Sequence, residues 1–312
     1  MQKNERTFLS SDGKTPIHVV QWQPETAPRA VVQIAHGVAE YADRYDPFAA
    51  WLTEQGFAVV AGDHIGHGQS VAPDAPRLYF GPEGSWHRVV QDLYTLREQT
   101  GAAFPGQPYF LLGHSMGSFL TRSYLIRYPG TLDGAILMGT GQMSPVEIAA
   151  GQAVAARESR RLGPDQFSPL VDRLSFASYN KHFAPNRTEL DWLSADPDNV
   201  DRYQADPLCG GPVSIGLFRE LLRGLAYIRD PKNLRHMNLT TPILFISGAD
   251  DPVGGCGKGV RRAEESFRRA GVRDVRLKLY PGARHEILND FCQEQVRRDI
   301  LSWLNAHLPD PA

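Results

Sequence analysis

The segment Gly113-His-Ser-Met-Gly117 restricts the fold of this chain more than any other feature of its sequence. It stands directly after the apolar run 109–112, which is typical of a buried strand, and directly before a helical pattern that begins at Ser118. A serine at such a corner must adopt a tight, strained turn, and glycines flank it because side chains there would collide. The pattern therefore predicts a nucleophilic serine, Ser115, that projects from the end of a sheet.

A serine hydroxyl is a poor nucleophile at neutral pH, so the chain must also supply a histidine base and a carboxylate that orients it. Where the serine occupies such a turn, the acid and then the histidine follow it along the chain. His285 follows the last predicted strand across the turn 281–284, at the sheet edge where ligands bind in parallel sheets. The other downstream histidines, His182, His236 and His307, lie in an insertion or near the end of the last helix. Position therefore favours His285 as the base.

The acid is expected in the loop Gly248-Ala-Asp-Asp-Pro252, which follows the apolar strand 243–247 at the same sheet edge. Either Asp250 or Asp251 could reach a histidine there, and spacing alone leaves the two nearly equal. The remaining aspartate is then a turn residue whose carboxylate accepts hydrogen bonds from nearby backbone N–H groups.

Attack on a carbonyl also creates an oxyanion, which needs two backbone N–H donors. One donor is the residue after the nucleophile, Met116, and the other comes from a loop after an early strand. The loop that begins at His36 follows the strand that ends at Ala35, so we expect Val38 to supply the second N–H. Gly37 allows the backbone to approach closely there.

Apolar runs bounded by Gly, Pro and Asp alternate with helical patterns, which predicts an α/β fold with a mostly parallel sheet flanked by helices. The expected strands are 17–22, 31–35, 58–61, 109–112, 134–138, 243–247 and 275–280, and the expected helices are 47–55, 87–100, 117–127, 259–270 and 291–307. Between about 141 and 240 the alternation gives way to helical patterns and Pro-containing loops. We therefore expect a core of residues 1–140 and 241–312 and an inserted helical cap of residues 141–240.

Charge and composition exclude other classes of partner. The 312 residues contain 33 Lys and Arg against 35 Asp and Glu, which is too balanced for a nucleic-acid partner. The insertion holds equal numbers of basic and acidic residues, so we expect at most a transient contact of the cap with a membrane surface. The sequence leaves the oligomeric state open.

Targeting and cofactor patterns are also informative. Three cysteines without a Cys-x-x-Cys pair, no signal-peptide pattern and no apolar run of roughly 18 residues predict a cytoplasmic protein. Asp63, His64 and His67 could be metal ligands, but a fourth ligand at useful spacing is missing from the sequence. Because serine chemistry needs neither, we expect no metal and no other cofactor.

Five motifs span nearly the whole chain outside the insertion. They are His36-Gly-Val-Ala-Glu40, Asp63-His-Ile-Gly-His-Gly-Gln-Ser70, Gly113-His-Ser-Met-Gly117, Gly248-Ala-Asp-Asp-Pro252 and Arg284-His-Glu-Ile-Leu-Asn289. Together they resemble the monoacylglycerol lipase and lysophospholipase branch of the α/β-hydrolase family, and the second motif is the most specific to it. Within the insertion, Asp206-Pro-Leu-Cys-Gly210 is similar to the cap of bacterial members. One departure is that Ala39 and Tyr41 replace a glycine and a histidine of the family's oxyanion loop.

The resemblance implies an α/β-hydrolase fold with a Ser, Asp, His triad beneath a cap that admits one acyl chain. It favours Asp251 over Asp250, because the family's acid stands three places after the glycine. The implied activity is hydrolysis of carboxylic esters of single-chain lipids, monoacylglycerols or lysophospholipids, through an acyl-enzyme on Ser115. The implied partner is therefore a small lipid ester.

Two other functions compete with lipid ester hydrolysis. The same core could serve a proline-releasing aminopeptidase or a thioesterase, and a peptidase would place acids such as Glu147 or Glu158 in its pocket to hold an amine. Alternatively, the chain could be a ligand-binding homologue that keeps the fold without turnover.

Overall fold

The computed structural model describes residues 1–175 and 178–309, which form an eight-stranded sheet with helices on both faces. The strands are β1 (Gln2–Leu9), β2 (Pro16–Gln23), β3 (Ala30–Ala35), β4 (Phe57–Gly62), β5 (Tyr109–His114), β6 (Gly134–Met138), β7 (Ile243–Gly248) and β8 (Val275–Tyr280). The helices are α1 (Asp46–Glu54), α2 (Ser85–Ala103), α3 (Met116–Arg127), α4 (Pro145–Leu162), α5 (Pro169–Ser175), α6 (Pro197–Ala205), α7 (Ile215–Arg229), α8 (Pro231–Leu234), α9 (Lys258–Ala270) and α10 (Gln293–Asn305).

The strand order is β1-β2-β4-β3-β5-β6-β7-β8, and only β2 pairs antiparallel with its neighbours, β1 and β4. The predicted α/β class and the seven predicted strands are confirmed. Strand β1 was not predicted, because it lies at the sheet edge with every side chain at least partly exposed and so has no apolar run.

Two hydrophobic cores lie on opposite faces of the sheet. One contains buried side chains of α1 and α10, and the other contains those of α2, α3, α7 and α9. Every residue of β3 to β7 is buried, as parallel strands covered on both faces require. The carboxyl ends of these parallel strands therefore meet at one edge, where their loops can share a site.

Helices α4 to α8 connect β6 to β7. Helix α4 begins with a capping box in which Ser144 and Glu147 bond each other's backbone N–H groups. It packs against α7, and α7 packs in turn against α3 of the sheet layer. The apolar stripe of α7, which includes Leu217, Leu222 and Ile228, is buried in the core shared with the sheet. Within the described residues, every helix is too short or too polar to cross a bilayer.

Candidate active site

Ser115 stands at the corner between β5 and α3, where the sequence predicts it. Its φ of 51° and ψ of −119° are rare for a residue with a side chain, so this turn is strained. Its N–H donates to the Met138 carbonyl of the neighbouring strand at 2.9 Å, which helps to hold the turn. Although Ser115 is buried, it borders two cavities.

The two glycines of the turn are required by the space around them. A Cβ at Gly117 would lie 1.9 Å from the Ala35 carbonyl oxygen. A Cβ at Gly113 would lie 2.3 Å from both the Gly117 oxygen and Thr121 Oγ1. Helix α3 can approach β3 and β5 this closely only because both positions lack a side chain.

The imidazole of His285 lies against a buried carboxylate. His285 Nδ1 is 3.0 Å from Asp251 Oδ2, and the two residues come from the loops after the neighbouring strands β8 and β7. Asp251 also accepts hydrogen bonds from the Ser247 hydroxyl at 3.1 Å and the Val253 N–H at 2.9 Å. These bonds fix the carboxylate towards the ring. Asp250 is exposed, so the structure brings Asp251 and not Asp250 to His285.

His285 and Ser115 border the same small cavity. Within residues 1–175 and 178–309 no hydrogen bond joins the Ser115 hydroxyl to the His285 ring. Such bonds are often long before substrate binds and tighten in the complex. The rings of Trp192 and His114 pack on the imidazole, with centroids 5.2 and 4.8 Å away, and limit its movement.

Two backbone donors lie beside the serine. Val38 and Met116 border the larger cavity together with Ser115. In the described part of the chain, neither N–H donates a hydrogen bond. Met116 begins α3, whose first N–H groups have no partner inside the helix. The N–H groups of both residues are therefore available to a developing oxyanion.

The two cavities that meet at Ser115 differ in size and in the acidic residues that border them. The larger, of about 540 Å³, is lined mainly by apolar side chains of α3, α4 and α7: Met116, Phe119, Ala150, Val154, Phe218, Leu221, Leu222 and Leu225. The smaller cavity, of about 240 Å³, is bordered by apolar groups and by three carboxylates, those of Glu40, Asp172 and Glu286. A substrate with one apolar and one polar part would fit this division.

Glu40 is the centre of a buried hydrogen-bond network on the smaller cavity. Its Oε1 accepts hydrogen bonds from the Gly37 N–H at 2.5 Å and the Tyr45 hydroxyl at 2.9 Å. The same oxygen lies 2.9 Å from His114 Nδ1. Glu40 therefore ties the loop after β3 to the end of β5, directly before the nucleophile.

Arg44 extends this network to the loop of the base. Its guanidinium donates to both carboxylate oxygens of Glu286, at 2.8 and 2.9 Å, and to Glu40 at 2.7 Å. Asn199 of α6 donates to Glu286 at 2.9 Å, and the Tyr203 ring lies beneath the guanidinium at 4.8 Å. Loops after β3 and β8 and helix α6 are thereby joined.

The charges of this network shift the pKa values of its members. Burial alone would raise the pKa of Glu40, but His114 and Arg44 hold it well below its ordinary value. Burial would also raise the pKa of Glu286, and Arg44 lowers it. Burial would lower the pKa of His114, whereas the hydrogen bond and charge of Glu40 raise it above its ordinary value.

Sequence reasoning missed Arg44. Glu40 and Glu286 both lie in recognised motifs, beside the predicted oxyanion donor and the predicted base. Two carboxylates at one buried sheet edge need a cation between them, and that requirement could have pointed to an arginine nearby.

The Asp63–Ser70 motif has a structural role. Asp63 accepts hydrogen bonds from the N–H groups of Ala42 and Gln69, each at 2.8 Å, and lies 3.2 Å from His18 Nδ1. Its carboxylate thus fixes the loop after β4. Across the described residues, His, Cys, Asp and Glu side chains do not form a group of three that could hold a metal ion.

Known proteins are similar to this chain along nearly its whole length. The monoacylglycerol lipase of Mycolicibacterium smegmatis is 32% identical, over 98% of this chain and 98% of its own length. Human monoglyceride lipase is 28% identical, over 91% of this chain and 85% of its own. A thermostable carboxyl esterase from Bacillus coagulans, solved in complex with glycerol, is 29% identical and superposes with a TM-score of 0.92, over 99% of this chain and 100% of its own.

The family described as serine aminopeptidase, S33, matches residues 26–291, which is most of the chain. The similarity to monoacylglycerol lipases along nearly the full length confirms the branch that the five motifs resemble. The chain therefore belongs to the serine aminopeptidase S33 family of α/β-hydrolases.

Proposed function

We propose that this protein hydrolyses esters of single-chain lipids, preferring monoacylglycerols, through an acyl-enzyme on Ser115. The observation that carries the proposal is the junction, at one strained serine, of a large cavity lined mainly by apolar side chains and a smaller cavity that three carboxylates border. Relatives named monoacylglycerol lipase, monoglyceride lipase and carboxyl esterase support ester hydrolysis.

In this mechanism, His285 takes the proton of the Ser115 hydroxyl as its oxygen attacks the ester carbonyl. Asp251 holds the imidazole by Nδ1 and stabilises its positive charge. The N–H groups of Val38 and Met116 bind the oxyanion. His285 then gives its proton to the leaving alcohol, while the acyl group stays on Ser115. A water molecule, deprotonated by His285, then attacks the acyl carbonyl. The bond to the Ser115 oxygen breaks, that oxygen takes the proton back from His285, and the fatty acid is released.

The larger cavity is the proposed site of the acyl chain. Its lining from α3, α4 and α7 is apolar except for Glu147, an acid that could also hold the amine of a peptidase substrate. The Glu147 carboxylate already accepts a hydrogen bond from the Ser144 N–H at 2.8 Å, so a hydrocarbon chain can lose its contact with water in this cavity at little cost in unpaired polar groups. Residues 141–240 supply α4 and α7, and we propose that they form the cap over a core of residues 1–140 and 241–312.

The smaller cavity is the proposed site of the leaving alcohol, and its charges favour an uncharged one. Glu40, Asp172 and Glu286 can accept hydrogen bonds from the hydroxyl groups of a polyol. None of the described residues that border it is Lys or Arg. Arg44 and His114 are already paired with Glu40 and Glu286, so a phosphate-bearing headgroup would meet carboxylates there and no unpaired Lys or Arg. This contrast supports monoacylglycerol over lysophospholipid.

A kinetic panel tests the proposal. The panel compares a monoacylglycerol, a lysophospholipid and an acyl thioester of the same chain length with an aminoacyl anilide. We expect the highest kcat/KM for the monoacylglycerol. Preference for the anilide would instead support an aminopeptidase, and preference for the lysophospholipid would contradict the role given to the smaller cavity.

Labelling with a fluorophosphonate tests the nucleophile separately. The wild-type protein should be modified once, and Ser115→Ala should not be modified. Labelling that persists in Ser115→Ala would refute the assignment. A wild-type protein that resists the reagent would support the ligand-binding alternative.

A further inference from the structure

A groove lined by arginines lies beside the larger cavity. It encloses about 750 Å³ and is bordered by the end of α7, by α8 and by α9. Arg229 and Arg235 stand on one side, and Arg261 and Arg262 stand on α9. We propose that this arginine groove docks on a membrane surface that carries anionic lipid headgroups.

The groove carries uncompensated positive charge. Five arginines border it, and Arg269 is the one with an ion pair among the described residues. Within the described chain, the other four have neither an ion pair nor a side-chain hydrogen bond, although Arg262 interacts electrostatically with Glu147, and the Arg229 Nε is buried without a partner. The two acids that border the groove are already neutralised. Glu265 pairs with Arg269 at 2.8 Å, and Glu264 pairs with Arg268.

These arginines come together only when the chain folds. Residues 141–240 contain equal numbers of acidic and basic residues, so their sequence predicts no attraction to anionic lipid. Folding brings Arg229 and Arg235, from the end of that segment, next to Arg261 and Arg262 from beyond it. The resulting cluster combines arginines of the two segments on one surface.

The arginine groove adjoins the opening of the proposed acyl site. Gln142 and Arg262 border both the groove and the larger cavity. Two apolar residues that line that cavity are partly exposed, Met143 at 37% and Leu174 at 50%. Exposed apolar groups next to basic ones are the combination that binds anionic membrane surfaces. Docking here would turn the opening towards the lipid.

Vesicle sedimentation tests the docking without turnover, so its result does not depend on the proposed hydrolytic activity. The Ser115→Ala protein is mixed with vesicles of phosphatidylcholine alone, or of phosphatidylcholine with phosphatidylglycerol. We expect binding to the mixed vesicles that weakens as sodium chloride is added. Each arginine near an anionic surface adds about 1 kcal/mol, or about fivefold in the partition coefficient.

Two double variants that each remove two positive charges distinguish the effect of the arginine groove from the effect of the protein's net charge. Arg235→Gln with Arg261→Gln, in the Ser115→Ala background, should lower the partition coefficient by about 25-fold. The control is Arg276→Gln with Arg298→Gln, two exposed arginines of β8 and α10 on the opposite face of the sheet. It should bind almost as well as the parent. Thermal unfolding followed by circular dichroism checks that both variants are folded.

Three results would overturn the proposal. Equal binding to neutral and mixed vesicles would show that the groove does not recognise anionic headgroups. Equal losses in the two double variants would show that only net charge matters. Release by inorganic phosphate beyond that caused by sodium chloride at the same ionic strength would identify a site for a soluble phosphate.

Discussion

Arg44 and Glu286 form a two-bond ion pair inside the protein, with Nη1 and Nη2 2.8 and 2.9 Å from the two carboxylate oxygens. Their side chains are only 10% and 3% exposed, so water does not compensate either charge. Because Glu286 directly follows His285, this pair links the loop of the proposed base to the network around Glu40.

Removing one partner should leave an uncompensated buried charge. Arg44→Met should lower the free energy of unfolding by about 3–5 kcal/mol, as measured by urea denaturation. Glu286→Gln should also destabilise the fold. The double variant should lose less than the sum of the two, since each single change already breaks the pair. Strictly additive losses would contradict the coupling.

The same network makes the stability of the fold depend on pH. The pKa values of Glu40 and Glu286 are lowered in the folded protein, so the unfolded chain takes up protons first as pH falls. Their contribution is complete above the ordinary carboxyl pKa of about 4.3 and is lost as pH falls through the folded values. The stability difference between wild type and Glu286→Gln should therefore shrink below about pH 4.3 in urea titrations. An unchanged difference would argue against the shift.

Asp251 and Asp250 offer a matched test of the acid. Asp251→Asn should lower kcat by about 10⁴-fold, because the amide would hold the wrong imidazole tautomer. Asp250→Asn should keep nearly full activity, since Asp250 is exposed and Asp251 is the aspartate that contacts the ring. Steady-state kinetics on a soluble ester compares the two, and the opposite ranking would reverse the assignment.

Gly117 and Gly101 predict opposite effects of the same substitution. Gly117→Ala places a Cβ 1.9 Å from the Ala35 oxygen, so α3 must shift and the protein should lose stability and activity. Gly101→Ala in α2 meets only the flexible end of Arg97 and should stabilise the helix by about 0.5–1 kcal/mol. Thermal unfolding measures both changes. If Gly117→Ala changed neither the stability nor the activity, the turn around Ser115 would have room for a Cβ at this position.

The proposed acyl site can be shortened from α4. Val154→Trp fills part of the larger cavity, whereas Ala153→Trp on the same helix is exposed and outside it. The ratio of kcat/KM for a long-chain ester to that for a butyryl ester should fall by at least about tenfold in Val154→Trp only. A similar ratio in both variants would place the acyl chain elsewhere.

The sequence was most informative where a short segment contains the residues that determine its own conformation. The turn around Ser115 could be predicted because the flanking strand, the helix and the two glycines all constrain the same five residues. The acid loop was harder to assign. Spacing left Asp250 and Asp251 nearly equal, and the family resemblance favoured Asp251. The packing of the loops after β7 and β8 brings Asp251 to His285.

Features made by distant residues are harder to predict from the sequence. Arg44 meets Glu286 across 242 positions, and the arginine groove joins residues on both sides of β7. Strand β1 was not predicted for another reason. Its backbone pairs with β2, but its side chains are mostly polar and exposed, so it has no apolar pattern.

The division of the site into a larger and a smaller cavity has a kinetic consequence. In the proposed assignment, the first alcohol leaves the smaller cavity while the acyl chain stays in the larger one, and the vacated space can admit another alcohol as well as water. Such a molecule would attack the acylated Ser115 and carry the chain away as a new ester. The enzyme should therefore divide its turnovers between hydrolysis and transesterification, in a proportion set by how well each acceptor fits beside Glu40 and Glu286.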